Sequence, residues 1–232
     1  MKITKIINFF NFLLHLISLD KHKKFRSKII KMNNQSKESF YNYGEGFFYQ
    51  SIPLINLHGL RDTEKRIEIL QLSKILNKKD ILDIGTNVGA IPLSTQSFFK
   101  SCVGIDHNPN VINISQEIQK YLEIKNVNFI CDDFLKYNFN VKFDVVLSLA
   151  NHSTFDKGIE NTSLYFEKIK EILTKNGILI LESHSPLYEK KERYLSLVND
   201  LKKDYQVLSS GDYIFGNHYD RGRLFHIMRK IN

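Results

Sequence analysis

From residue 80 onward the chain is a succession of short apolar runs of strand type, "DILDIGT", "SCVGIDH", "VNFICDD", "FDVVLSLA" and "GILILESH", with helix-forming stretches over 88–100, 109–122 and 162–175 between several of them. Runs this continuously apolar belong to strands buried on both faces, and strand–helix alternation builds a parallel sheet with right-handed crossovers. The class is therefore α/β. Asn176-Gly177 is a fitting C-terminal stop for the third helix. A further helix over about 188–203 leads to "YQVLSSGDY" and "RGRLFHIMRK", joined through a glycine-containing connection at 216–222. Strands so near in sequence pair antiparallel, so the sheet is expected to finish in a hairpin and to count seven strands.

A chain of 232 residues, 42% hydrophobic, buries one sizeable core, which leaves room for a domain and an appendage. The net charge of +8 is concentrated at one end: residues 1–31 hold eight basic groups against the single acid Asp20, and the rest holds 25 basic against 24 acidic groups. The globular part has almost no net field to gather phosphates, which argues against a nucleic-acid partner. Cys102 and Cys131 each fall inside an apolar run and read as small core residues of a protein from a reducing, cytoplasmic compartment.

Three segments follow from these patterns. Residues 1–33 form a basic amphipathic helix, in which Thr4, Asn8, Asn11, His15, Ser18 and His22 line one stripe and Ile, Phe and Leu fill the rest. Its apolar run, Ile6 to Leu19, is shorter than the ~20 residues of a membrane span and has no small-residue cleavage site after it. Two readings stay open for it: peripheral contact with the inner face of an anionic membrane, or packing on a partner or on the domain itself. Residues 34–62 carry Tyr41, Tyr43, Phe47, Tyr49 and Gln50 and read as an aromatic cap. Residues 63–232 are the main domain, opening with a helix N-capped at Thr63 that runs to about Asn77 with Ile67, Leu70, Ile75 and Leu76 on one side.

The turn in "DILDIGTNVGAIPL" decides the ligand class. A phosphate-binding P-loop needs Gly-Lys-Ser/Thr where this chain has Gly89-Ala90-Ile91, and a dinucleotide fingerprint needs a second glycine where it has Asn87. What stands here is D-x-G-x-N-x-G, Asp83 to Gly89. With "VGIDHNP", "ICDDF", "FDVVLSLANH" and "LTKNGILILESH" following in order, the chain over roughly 63–232 resembles the class I S-adenosylmethionine-dependent methyltransferases. Asn87 replaces the more usual middle glycine.

That resemblance implies a Rossmann-like sheet with helices on both faces and S-adenosyl-L-methionine as cofactor. It implies that Gly85 and Gly89 let the backbone approach the cofactor, with Asn87 between them, and that Asp83 faces its ammonium group. It implies further that Asp106 accepts the ribose hydroxyls, Asp133 takes the adenine amino group, Phe134 covers a ring face, Leu149 borders the site and Arg66 meets the methionine carboxylate. The alternatives are an exposed helix arginine for Arg66 and a solvated turn for Asp132-Asp133.

Methyl transfer to a hydroxyl profits from a base of near-neutral pKa, and His152, then His184, stand at the strand ends that face the methyl in this fold. Each histidine has a structural hydrogen-bonding role as its alternative. Asn151 and Glu182 beside them, with Tyr43, Tyr49 and Gln50 of the cap, are candidates for acceptor binding; rings and polar tips of this kind suit a sugar. The cluster His152, Asp156, Glu182 and His184 does not match the acidic pattern of metal-dependent relatives, so no metal is expected. The expected substrate is a small molecule or glycan precursor of a bacterial surface polysaccharide, methylated on oxygen. RNA methylation and cofactor binding without catalysis are the alternatives.

Overall fold

The computed structural model describes residues 20–35, 48–152, 162–185, 189–213 and 222–231. The apolar run of the leader, Tyr41, Tyr43, Phe47, Asp156 and nearly all of the 216–222 connection lie outside them.

The five predicted strands form as β3 (Asp80–Ile84), β4 (Ser101–Asp106), β5 (Val127–Cys131), β6 (Phe143–Leu149) and β7 (Leu173–Glu182), following a small parallel pair β1 (Phe48–Gln50) and β2 (Gly59–Arg61). With β8 (Tyr205–Tyr213) and β9 (Arg223–Lys230) the main sheet has the order β5-β4-β3-β6-β7-β9-β8. All its neighbours pair parallel except at β9, which runs antiparallel to both β7 and β8. The hairpin thus folds back so that its last strand is inserted beside β7.

Alternate side chains divide between the faces, as strand geometry requires. Ile81, Val145, Leu147 and Ile180 join one apolar cluster, and Leu82, Ile84, Val146, Leu179 and Leu181 join the other. Helices cover both. The first cluster takes in α1 (Lys23–Gln35), α2 (Thr63–Ile69), α3 (Leu72–Ile75), α4 (Ala90–Ser94) and α5 (Pro109–Tyr121); the second takes in α6 (Thr162–Ile172) and α7 (Lys191–Leu201).

Several boundaries differ from the sequence reading. The helix expected from Thr63 to Asn77 breaks at Gln71, which adopts φ 51°. Leu70 and Leu72 are both fully buried and, two positions apart, cannot share one face of a continuous helix. The N-cap is Asp62, whose side chain accepts from Lys65 N–H, while the Thr63 hydroxyl donates to the Ser51 carbonyl at 2.6 Å. The stretch 88–100 keeps only five helical residues, because Thr95 turns its hydroxyl back onto Ile91 O and the chain folds toward β4. α6 ends at Ile172 and passes directly into β7, so Asn176-Gly177 is not its stop. It belongs to a strand irregularity, with Asn176 at φ 61°, taken up between the pairs Phe143–Leu173 and Val145–Ile178. Cys102 is buried as expected; Cys131 is exposed, because β5 is an edge strand.

Residues 48–62 share the core of the domain: Ile52 and Ile55 are fully buried in the first cluster. The described end of the leader does so too. Ile29 of α1 is fully buried, Phe25 stacks on Tyr121 at 3.8 Å, and Lys28 pairs with Glu117 of α5. Ile29→Ala is expected to lower stability by about 2–4 kcal/mol, read as the shift of a urea unfolding curve.

Candidate functional site

The strand order reverses between β3 and β6, and in an open α/β sheet the crevice outside the carboxyl ends of such strands is where ligands bind. Of the residues singled out from sequence, Asp83, Gly85, Asn87, Asp106, Asn151 and Glu182 stand at these strand ends or on the turns after them. Gly85 and Thr86 both donate their N–H groups to Ile105 O, at 2.9 and 3.1 Å, which straps the turn after β3 to the end of β4. Gly85, Asn87 and Gly89 all have positive φ, 66°, 53° and 73°. Asn adopts this region more readily than other side chains, which explains how it replaces a glycine. Its Oδ1 accepts from Val88 N–H at 2.8 Å.

A β-carbon on Gly85 would lie 2.9 Å from Asn151 Nδ2, and one on Gly89 would lie 2.4 Å from the Phe129 ring. The space at Gly89 is therefore filled by the protein itself. That glycine seats α4 against β5 and α5.

Two acids flank the turn. Asp83 is buried and accepts from the Thr86 hydroxyl at 2.7 Å. Burial pushes its carboxyl up to about 7, against the Thr86 bond and the charge of Arg66, while Asp106 adds to the rise. Asp106 accepts from Asn87 N–H on one oxygen and Asn108 N–H on the other, both at 3.0 Å. Burial raises it as well, against those two bonds.

Asp83, buried, and Asp106, partly buried, together repel a pyrophosphate and are relieved by a cation. The chemistry of this donor set fits a ligand that carries an ammonium, a sulfonium and ribose hydroxyls. A cation beside Asp83 favours its ionised form, so below about pH 7 binding must expel a proton. Affinity for S-adenosylmethionine is expected to rise by up to about tenfold per unit as pH climbs toward 7 and then to level, as read by calorimetry.

The other nominated cofactor residues are placed less uniformly. Asp133 is partly exposed; its Oδ1 caps Leu135 N–H at 2.8 Å. Leu149 is buried at the end of β6. Phe134 does not cover a ligand ring: it is 1% exposed, inside the second apolar cluster, edge-on to Tyr165.

At the ends of β6 and β7 the polar side chains are heavily engaged. Asn151 accepts from Ser148 and Tyr165 and donates to Ile84 O, bracing β6 against the turn. Glu182, fully buried, receives Arg66 Nε and Nη2 at 2.9 and 2.7 Å, Arg223 Nη1 at 2.8 Å, and the Tyr213 hydroxyl. Its carboxyl is held at about 2: burial acts upward, and the charges of Arg66 and Arg223 with the Tyr213 bond outweigh it. Arg223 also donates to the Tyr49 hydroxyl at 3.1 Å, and Arg61 lies over the Tyr49 ring at 4.4 Å, so β1 and β2 are tied to β9. Gln50 is buried on β1, and Tyr43 lies outside the described residues.

His152 is 2% exposed, and its Nε2 lies 2.9 Å from Glu189 Oε1; its Nδ1 has no hydrogen-bond partner among the described residues. The His184 ring is brought down to about 4 by burial first and by the charge of Arg223, so it is neutral at physiological pH. Its backbone N–H donates to Glu189 Oε2 at 2.8 Å. Sequence reasoning did not find Glu189, Arg223, Tyr213 or Arg61. Their partners lie 31 to 41 residues away or across separate strands, where no local spacing marks them.

A family model described as a methyltransferase domain matches residues 75–220. Release factor glutamine methyltransferase from Fusobacterium nucleatum is 32% identical over 133 residues, which is 54% of this chain and 37% of that protein. The Buchnera aphidicola protein of the same name, from the Schizaphis graminum strain, is 28% identical over 160 residues, 68% of this chain and 52% of that one. The chain thus spans about half or less of these relatives. The N-methyltransferase NodS of Bradyrhizobium japonicum, solved with S-adenosyl-L-homocysteine, superposes with a TM-score of 0.62 at 15% identity, covering 73% of this chain and 87% of that one. Magnesium protoporphyrin IX methyltransferase of Synechocystis with bound S-adenosylmethionine gives 0.57 at 17% identity, covering 72% and 78%. These structures share the fold.

Proposed function

The chain belongs to the class I S-adenosylmethionine-dependent methyltransferases, and from that premise we propose that it methylates a hydroxyl of a small molecule, with His152 as general base. The bound cofactor supplies an electrophilic methyl group. Asp83 and Asp106 hold its charged and hydroxylated parts, and the chain's remaining task is to bring an acceptor oxygen into line and take its proton.

The observation that carries this reading is the buried imidazole of His152 just past β6, hydrogen-bonded through Nε2 to Glu189 and, among the described residues, without a hydrogen-bond partner on Nδ1. An alcohol needs such a base; an amine that enters unprotonated does not. Tyr49 and Gln50, on the strand β1 that Arg223 ties to the start of β9, support a sugar or another precursor of a surface polysaccharide as acceptor. The exposed lysines of α1, Lys23, Lys24 and Lys31, support a place beside an anionic membrane, where such precursors are assembled. Among the described residues no helix is long and apolar enough to cross one.

A second reading, transfer to a protein amide nitrogen, is favoured by the release factor glutamine methyltransferases among the relatives. Incubation with methyl-labelled cofactor and separate panels of nucleotide sugars, purified release factor and RNA distinguishes them. Label is expected in a sugar product, with the rate lowered about 10²–10⁴-fold in His152→Ala while cofactor binding persists. Label in the release factor would establish the second reading. Binding without transfer to any acceptor would leave a cofactor-binding protein.

A further inference from the structure

We propose that Glu189 is a positioning residue that locks His152 in its Nε2–H tautomer and thereby leaves Nδ1 as the proton-accepting atom. This rests on the assignment of His152 as base and adds the device that aims it. The two residues stand on separate segments, one just past β6 and the other just before α7, and both side chains are almost fully buried.

The hydrogen-bond geometry determines the tautomer. Both oxygens of the Glu189 carboxylate accept: Oε1 lies 2.9 Å from His152 Nε2, and Oε2 receives the His184 backbone N–H at 2.8 Å. An ionised carboxylate has no hydrogen to give, so the hydrogen between Glu189 and the ring is on Nε2. A neutral imidazole with a hydrogen on Nε2 carries a lone pair on Nδ1. Burial drives the Glu189 carboxyl upward, but the hydrogen bonds it accepts from the His152 ring and the His184 N–H act the other way and the carboxyl lies below its usual range, so the ionised form is the resident one.

Rings enclose the imidazole, with Tyr194, Phe166 and His184 centroids at 6.1, 6.2 and 6.4 Å. They leave Nδ1 without a hydrogen-bond partner among the described residues. A buried acceptor without a partner is costly and calls for an explanation, and a proton arriving from an acceptor hydroxyl supplies one. Once Nδ1 takes that proton the ring is an imidazolium whose charge the adjacent carboxylate offsets. The proton then passes to water and the neutral tautomer returns.

The experiment reads the ring directly and needs no acceptor. Long-range proton–nitrogen correlation spectra are recorded on uniformly ¹⁵N-labelled protein, the His152 signals being those lost in His152→Gln. The wild type is expected to show a protonated Nε2 and an unprotonated Nδ1, at a ratio above about ten to one over the reverse tautomer. In Glu189→Gln that ratio is expected to fall toward about one to one, because the amide both donates and accepts. Glu189→Asp, which restores a carboxylate, should recover the preference in part. A wild-type spectrum dominated by Nδ1–H, or an unchanged ratio in a folded Glu189→Gln variant, would overturn the proposal. Methyl transfer that persists in His152→Ala would sink the base assignment instead, while leaving the tautomer as measured, so the two failures are separable.

Discussion

Glu182→Ala is expected to lower stability by about 3–5 kcal/mol, a large fraction of the roughly 5–15 kcal/mol that holds an ordinary domain folded. The variant removes the one carboxylate on which Arg66 and Arg223 both converge, and neither guanidinium can reach water: Arg66 and Arg223 are each 2% exposed. Two buried cations and the Tyr213 hydroxyl lose their common acceptor at once. Glu182→Gln keeps the volume and one carbonyl oxygen, and should fall between the wild type and Ala in urea unfolding.

The acid limb offers an independent check. In the folded state the carboxyl titrates at about 2, below its ordinary 4.5, so its contribution is complete above about 4.5 and is lost as pH falls through about 2. Glu182→Gln should flatten that limb. A variant as stable as the wild type at neutral pH would mean that the network contributes nothing net.

Asp106→Ala is expected to weaken S-adenosylmethionine binding at least about 100-fold. In the proposed complex the carboxylate accepts two ribose hydroxyls, and charged hydrogen bonds of that kind contribute about 1.5–3 kcal/mol each. The carboxylate is also aligned before any ligand arrives, by N–H groups from Asn87 on one strand-end turn and Asn108 on the next. Its removal therefore loosens the turn as well as deleting an acceptor. Calorimetric titration measures the loss, and NAD⁺ in place of the cofactor should give no heat of binding. Affinity unchanged within threefold, about 0.6 kcal/mol, would remove Asp106 from the site.

The sheet was legible because its signal is collective. Five apolar runs in succession, with helix-forming stretches between several of them, left few alternatives for β3 to β7, and the short connection before β9 dictated an antiparallel partner. Element ends were less legible where burial overrode periodicity: Leu70 and Leu72 are both drawn inward, and Gln71 takes the left-handed turn that allows it. The turn after β3 could be read residue by residue because its contacts are local. Phe134 was misread for the opposite reason, since its neighbour Tyr165 comes from a distant helix. The partners of Glu182 and His152 are likewise assembled from remote segments, and nothing in "LYEKKER" distinguishes Glu189 from its charged neighbours.

The Glu182 network also sets an order for biosynthesis. Arg66 leaves the ribosome 116 residues before Glu182, and Arg223 follows 41 residues after it, on a strand inserted between two others. A nascent chain that has emerged through β8 holds the carboxylate and one of its cations, but not the strand that completes the sheet. β9 thus latches the sheet after every other strand has been made. Until it docks, β7 presents an open sheet edge, the kind of edge that invites pairing with other chains.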